Sequence, residues 1–192
     1  MSRLQPRDED LASGSPDQQR LEGLNSGLSA AEFKLAFRHH AAGVAVVTAD
    51  AGDGPVGITA SSVFSVSAEP PVIVFSISGG SSSGPTIRRA ETLVVHLLGA
   101  QQLGIARLCS ASGIDRFADT SIWSRLPTGE PHFLGVPVWI RGRVINRMAV
   151  GDSTLIAVHA LESAHAHGQT TTPLVYHNRT WHALGDASRV DD

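Results

Sequence analysis

The chain has 192 residues, 42% hydrophobic and 17% charged, which is the composition of one globular domain with a sizeable core. A formal net charge of −3 leaves no basic stripe to neutralise phosphates, so no nucleic-acid partner is expected. Apolar runs such as 93–98 are too short to cross a bilayer, the polar N-terminus carries no cleavable signal, and the single Cys109 excludes an internal disulfide. These features predict a cytoplasmic protein without a membrane partner.

Residues 1–28, rich in Ser, Asp, Gln, Gly and Pro, are predicted to be a flexible extension before a domain over 29–186, with 187–192 as a tail. Ser29-Ala-Ala-Glu32 is a capping-box pattern. The helix it opens is expected to turn Phe33, Leu35, Ala36 and Phe37 toward a core and to end near Gly43. Strands are predicted at 44–48, 56–60 and 71–77, with a turn cluster over 51–55. The Gly79-Gly-Ser-Ser-Ser-Gly84 segment reads as a loop, and Pro85 suits the first turn of a short helix through Arg89. A buried strand over 92–98, a helix over 101–110, a short irregular helix over 114–117 and a loop over 123–135 follow. Strands at 136–148, 153–164 and 174–184 complete the chain, the last turning at Asn178-Arg179. Many strands with hairpin-length connections and few helices predict a mainly β (α+β) fold, a closed barrel with peripheral helices.

The densest chemistry lies in 57–75, where Thr59, Ser61, Ser62, Ser65 and Ser67 put five hydroxyls into nine residues before Pro70-Pro71. Such a row offers donors to a polyanionic or polyhydroxylated ligand lying along a sheet. Rossmann and P-loop phosphate motifs are missing. The 79–84 loop can still hold an anion through converging N–H groups and Ser81, Ser82 and Ser83, with Arg88 and Arg89 a turn later. Taken alone, it also reads as a flexible connection.

Nine histidines raise the question of a metal. His39 and His40 are adjacent and point about 100° apart on a helix, and the His165-Ala-His167 pair has no carboxylate or Cys companion. No metal site is expected. Cys109 reads as a small buried residue, and no Gly-x-Ser-x-Gly elbow supports a hydrolase triad. Gly151-Asp-Ser153 and the hairpin from Tyr176 to Trp181 read as turns, or as polar groups projected into a barrel-mouth cleft.

Several segments, in order, resemble the flavin reductase family of split β-barrels, the reductase partners of two-component flavin monooxygenases. Phe37-Arg-His-His-Ala-Ala-Gly43-Val-Ala-Val-Val-Thr48 is similar to the family's Phe-Arg…Gly-Val-x-Val-Val-Thr. Residues 57–71 resemble its Gly-x-Thr-x-x-Ser-x-x-Ser-Val-Ser-x-x-Pro-Pro. Val94-Val-His-Leu-Leu98 lies where the family has Val-Asn-x-Leu, Asp115-Arg-Phe117 matches its Arg-Phe, and Pro173-Leu-Val-Tyr176 its closing strand. Two departures stand out. Ser153 replaces the His of a frequent Gly-Asp-His and cannot change charge near neutral pH. His96 replaces an Asn.

The resemblance implies a homodimeric, six-stranded antiparallel split β-barrel with peripheral helices that binds FMN or FAD. NADH or NADPH reduces the flavin, which leaves for a partner monooxygenase. Thr59, Ala60, Ser61 and Ser62 are then expected to line the ring and ribityl chain, with Ser65, Val66 and Ser67 close by. Ser82 and Ser83, backed by Arg88, are the phosphate candidates. Gly43 is expected to let the backbone approach the ring, and His96 and Tyr176 join the cofactor-binding set. The hydride passes between the two cofactors, so no acid or base is required; Ser153 and His177 are the catalytic candidates on the nicotinamide side. Alternatives are a flavin carrier or sensor without turnover and a pyridoxamine-phosphate-oxidase-like oxidase on the same barrel.

Overall fold

A computed structural model describes residues 27–165 and 171–190. All but the last two residues of the 1–28 extension, His167 and the last two tail residues lie outside this description. The chain divides into two units, 1–37 and 38–192.

The first helix, α1 (Ala30–Arg38), opens on the capping box. The Glu32 carboxylate accepts from the Ser29 N–H at 2.9 Å, and the Ser29 Oγ accepts from the Glu32 N–H at 3.2 Å. The helix ends at Arg38, short of Gly43, and none of its residues is buried. The expectation that Phe33, Leu35, Ala36 and Phe37 face a core is therefore corrected. Phe33 and Phe37, one turn apart, pack on each other at 4.6 Å between ring centroids.

The second unit is mainly β and antiparallel. Its main sheet contains β2 (Ala45–Ala49), β3 (Val56–Ala60), β4 (Phe64–Ala68), β5 (Pro71–Ser78), β6 (Thr92–Leu97), β9 (Val138–Val150) and β10 (Ser153–His165), in the order β3-β2-β6-β9-β10-β5-β4. A smaller sheet joins β1 (Ala42–Gly43), β11 (Leu174–His177) and β12 (Thr180–Ala183), and β7 (Trp123–Arg125) pairs with β8 (Pro131–Phe133). Two helices flank the sheets, α2 (Gly84–Arg89) and α3 (Leu103–Ser110). The class is the expected one, while the ladder differs in detail. Seven strands run as an open sheet with β3 and β4 at its edges, because residues 61–63 lead directly from one to the other without a hairpin pairing. A bulge at Val66 interrupts the β4–β5 register.

The two larger sheets are stitched together at Val44. Its N–H donates to the Leu174 carbonyl at 3.1 Å, its own carbonyl accepts from Leu98 at 3.1 Å, and Leu174 donates to Leu98 at 3.2 Å. Three local expectations are corrected. Residues 114–117 form bends and a turn, not a helix; the 123–135 loop contains the β7–β8 hairpin; and the helix over 101–110 begins with a 3-10 turn, Ala100–Gln102. Asn178 and Arg179 make the expected turn with φ of 47° and 63°.

β2 is buried along its whole length because both of its faces are covered. Val47 packs into one core with Ile58, Phe75, Leu93, Ile156 and Val158. Val46, facing the other way, joins Ala106, Cys109, Phe117 and Phe133 in a second core beneath α3. The β7–β8 hairpin is pinned by Glu130, whose side chain is 4% exposed and meets Arg141 Nε at 2.8 Å. Burial opposes the Glu130 charge, but hydrogen bonds from Thr128 and Thr92 and the Arg141 cation outweigh it and hold the carboxyl below its ordinary range. Among the described residues no helix is long and apolar enough to cross a membrane.

Candidate functional site

A cavity of about 290 Å3 opens where the 79–84 loop, the start of β3 and residues 113–117 meet. Ser82, Ser83, Val56 and Arg116 line it. The loop is held from two sides. Ser83, buried, donates its hydroxyl to the Gly57 carbonyl at 3.0 Å. Gly79 lies so close to the 151–153 turn that a Cβ there would come within 2.5 Å of the Asp152 carbonyl oxygen. Ser83 therefore has no proton left for a ligand; it accepts from Arg116 Nη1 at 3.2 Å. Ser82 is exposed, with Arg116 Nη2 at 3.5 Å. Arg88 folds over Gly84, so that a Cβ on Gly84 would lie 2.9 Å from Nη1. The guanidinium lining the cavity is that of Arg116.

Along the hydroxyl-rich stretch the side chains divide by partner. Thr59 donates to the Ala106 carbonyl at 2.6 Å, clamping α3 to β3. Ser62 Oγ bridges to β5, accepting from the Ser76 N–H at 3.1 Å and donating to the Ser76 carbonyl at 3.3 Å. Ala60 is buried. Ser61, Ser65 and Val66 are exposed and Ser67 half-buried, so the open hydroxyls of this row are on and just before β4.

Gly43, Tyr176 and His177 come together on the small sheet, where Gly43 stands opposite Val175 and Ala42 opposite Tyr176. A Cβ on Gly43 would meet nothing within 4 Å, which leaves that backbone approachable from outside. Tyr176 packs on Trp181 at 4.8 Å between centroids, and the His177 ring lies 5.7 Å from that of His182 and 6.5 Å from that of His39. Ser153 begins β10 opposite Ser78, the residue that leads into the 79–84 loop, and donates to Asp152 Oδ1 at 3.0 Å.

His96 stands apart in the core, fully buried. Nδ1 donates to the Val46 carbonyl at 3.0 Å, and Nε2 accepts from the Phe133 N–H at 3.0 Å, so both nitrogens are occupied by backbone. Burial, with a smaller contribution from the nearby His132, lowers its pKa to about 4 despite the opposing bond to Val46. His96, expected among the cofactor-binding residues, therefore has neither ring nitrogen free for a ligand. Burial likewise pushes the Cys109 thiol up to about 12 and makes it a poor nucleophile. Among the described residues no three His, Cys, Asp or Glu side chains are placed to hold a metal.

The profile of the flavin reductase like domain matches residues 37–185. The chain belongs to the flavin reductase family. It is 45% identical over 159 residues to the NADH:FMN oxidoreductase of Rhodococcus qingshengii, covering 80% of this chain and 81% of the relative. It is 28% identical over 150 residues to the reductase component of the 4-nitrophenol 4-monooxygenase/4-nitrocatechol 2-monooxygenase of Rhodococcus opacus, with 78% of each chain covered. Among solved structures, a flavin reductase domain protein from Arthrobacter sp. FB24 superposes with a TM-score of 0.76 at 32% identity, covering 83% of this chain and 96% of that one.

The residues present suit a phosphorylated flavin. A cation and an exposed hydroxyl share the cavity, exposed hydroxyls follow on β4, and the Gly43 backbone is open. In this flavin reductase the residue that sequence reasoning passed over is Arg116. It was visible as the Arg of Asp115-Arg-Phe117, but its approach to Ser82 and Ser83 depends on a contact across 33 to 34 residues.

Proposed function

We propose that this protein is an NADH-dependent flavin reductase that takes FMN and delivers reduced flavin to a separate monooxygenase component. The observation that carries this reading is the 45% identity to an NADH:FMN oxidoreductase over four-fifths of both chains. The likeness to a monooxygenase reductase component supports the downstream partner.

With both bound, the nicotinamide supplies a hydride to the flavin ring. The chain's own work is to bind, orient and exclude water. Ser61 and Ser65 present hydroxyls from the strand edge, Thr59 and Ser62 hold β3 and β5 in place beneath them, and the 79–84 loop receives the charged end. Tyr176 and His177 are assigned to the nicotinamide side, with His177 positioning rather than transferring a proton. His177→Ala then lowers turnover only a few-fold, whereas an obligatory acid would cost roughly 100-fold or more.

A homodimer is part of this reading. The strand register puts Phe64, Met148 and Val150 on one outer face of β4, β5, β10 and β9, exposed by 54%, 51% and 46%, and a second copy would cover them. Light scattering reads the mass directly, and a monomer refutes the dimer. For the activity, NADH consumption is followed with and without added FMN. Acceleration by free FMN is expected; absence of NADH consumption at every flavin concentration refutes the reductase.

A further inference from the structure

We propose that His177 and His182 form a surface site for a divalent transition metal that favours imidazole, such as Zn2+, and that filling it slows turnover. The site stands on the geometry of the β11–β12 hairpin; its effect on turnover rests on the assignment of His177 to the nicotinamide side. Tyr176 stands opposite Trp181 and both pack against the second core. Alternation along the two strands therefore turns His177 and His182 together to the other face. Their ring centroids are 5.7 Å apart, with the planes at 55°. Two imidazoles that share one ion at Zn–N distances of about 2.0–2.1 Å have ring centres about 5–6 Å apart. The pair has the separation that one shared ion requires.

The backbone beneath the two rings is held in place. Asn178 and Arg179 close the hairpin in the left-handed region, and the Asn178 N–H donates to the Arg38 carbonyl at 3.0 Å. Among the described residues no hydrogen bond or ion pair engages the ring of His177 or of His182. Other histidines differ: His96 is saturated by backbone, and His132 and His165 each have a serine hydroxyl, at 3.4 Å and 3.2 Å. His39, 6.5 Å from His177, lies beyond the span of a shared ion. Two imidazoles without a carboxylate select Zn2+, Ni2+ or Cu2+ over Mg2+ and Ca2+, which prefer oxygen ligands. Two ligands are fewer than a closed zinc centre has, so water fills the remaining positions and binding is reversible. An ion held here takes the His177 ring away from the nicotinamide.

Binding without turnover tests the site. Zinc chloride is titrated calorimetrically into tag-free wild-type protein, His177→Ala and His182→Ala, with flavin and nicotinamide absent. Wild type should bind zinc, and each variant should bind it more weakly by roughly 10-fold or more, since losing a ligand costs at least what losing its outer support does. Magnesium and calcium chloride should give no binding. Absence of zinc binding in wild type, unchanged affinity in either variant, or an equal response to magnesium overturns the site. Should one variant fail to fold, the other decides, because a shared ion needs both rings. For turnover, zinc should slow NADH consumption in the presence of FMN a few-fold, to the level of His177→Ala, and a chelator should restore it. His182→Ala should keep wild-type turnover and resist zinc; equal inhibition of wild type and His182→Ala overturns the effect on turnover. A protein that binds zinc through this pair yet never consumes NADH keeps the metal site and loses the reductase reading.

Discussion

The buried His96 makes the fold acid-sensitive in a defined window. Its ordinary pKa of 6.5 falls to about 4 in the folded chain, so between these values the unfolded chain binds a proton that the folded chain refuses. Stability from this group is complete above the unfolded pKa and is lost as pH falls toward the folded one. At about pH 5 the unfolded histidine is almost fully protonated and the folded one about one-tenth so, which amounts to a loss of about 2 kcal/mol relative to pH 7. That is a large part of a typical domain's stability. Carboxylates with depressed pKa values, Glu130 among them, stabilise the fold above their ordinary range and lose that effect only below it, so they add little to the change between about pH 7 and 5. Urea unfolding at the two pH values measures the loss. His96→Asn keeps an amide donor and an acceptor for Val46 and Phe133 but cannot titrate; it should unfold more easily at neutral pH and lose little further on acidification. If the variant loses as much between pH 7 and 5 as wild type, the reasoning is wrong.

Two further outcomes are expected. In Gly79→Ala the new Cβ must displace the Asp152 carbonyl or the 79–84 loop, and the KM for FMN should rise by about 10-fold while the KM for NADH stays within a factor of about two; unchanged FMN kinetics would remove that loop from the binding surface. Arg141→Met leaves the Glu130 carboxylate buried without its cation and should cost about 3 kcal/mol or more in urea unfolding. Adding Glu130→Gln should recover part of that loss, and a double variant no better than the single one speaks against the pairing.

What could be read from the chain, and what could not, follows from the range of the forces involved. Strands β2, β3, β5 and β6 were legible because their β-branched runs are buried on one or both faces, and the capping box at Ser29 and the turn at Asn178-Arg179 are decided within four residues. The α1 prediction failed because Phe33 and Phe37 carry the spacing of a core-facing stripe while packing on each other. The β7–β8 hairpin escaped notice since its strands are three residues each and Glu130–Arg141, a tertiary pair, pins it. The hydroxyl row stands out in the sequence, but its side chains differ in partner: Thr59 reaches a helix 47 residues away and Ser62 a neighbouring strand, and nothing in the local pattern separates them from the exposed Ser61 and Ser65. Ser83 and Arg116 were invisible as a pair for the same reason.

The bulge at Val66 bears on how the molecule keeps itself from polymerising. As an edge of the main sheet, β4 presents unpaired backbone groups that any extended chain could extend in a regular ladder. The extra residue breaks that regularity midway: an incoming strand matched to Phe64 and Ser65 is out of step at Ser67. The same segment can therefore remain open enough to receive a small ligand while offering a poor template for another copy's strands.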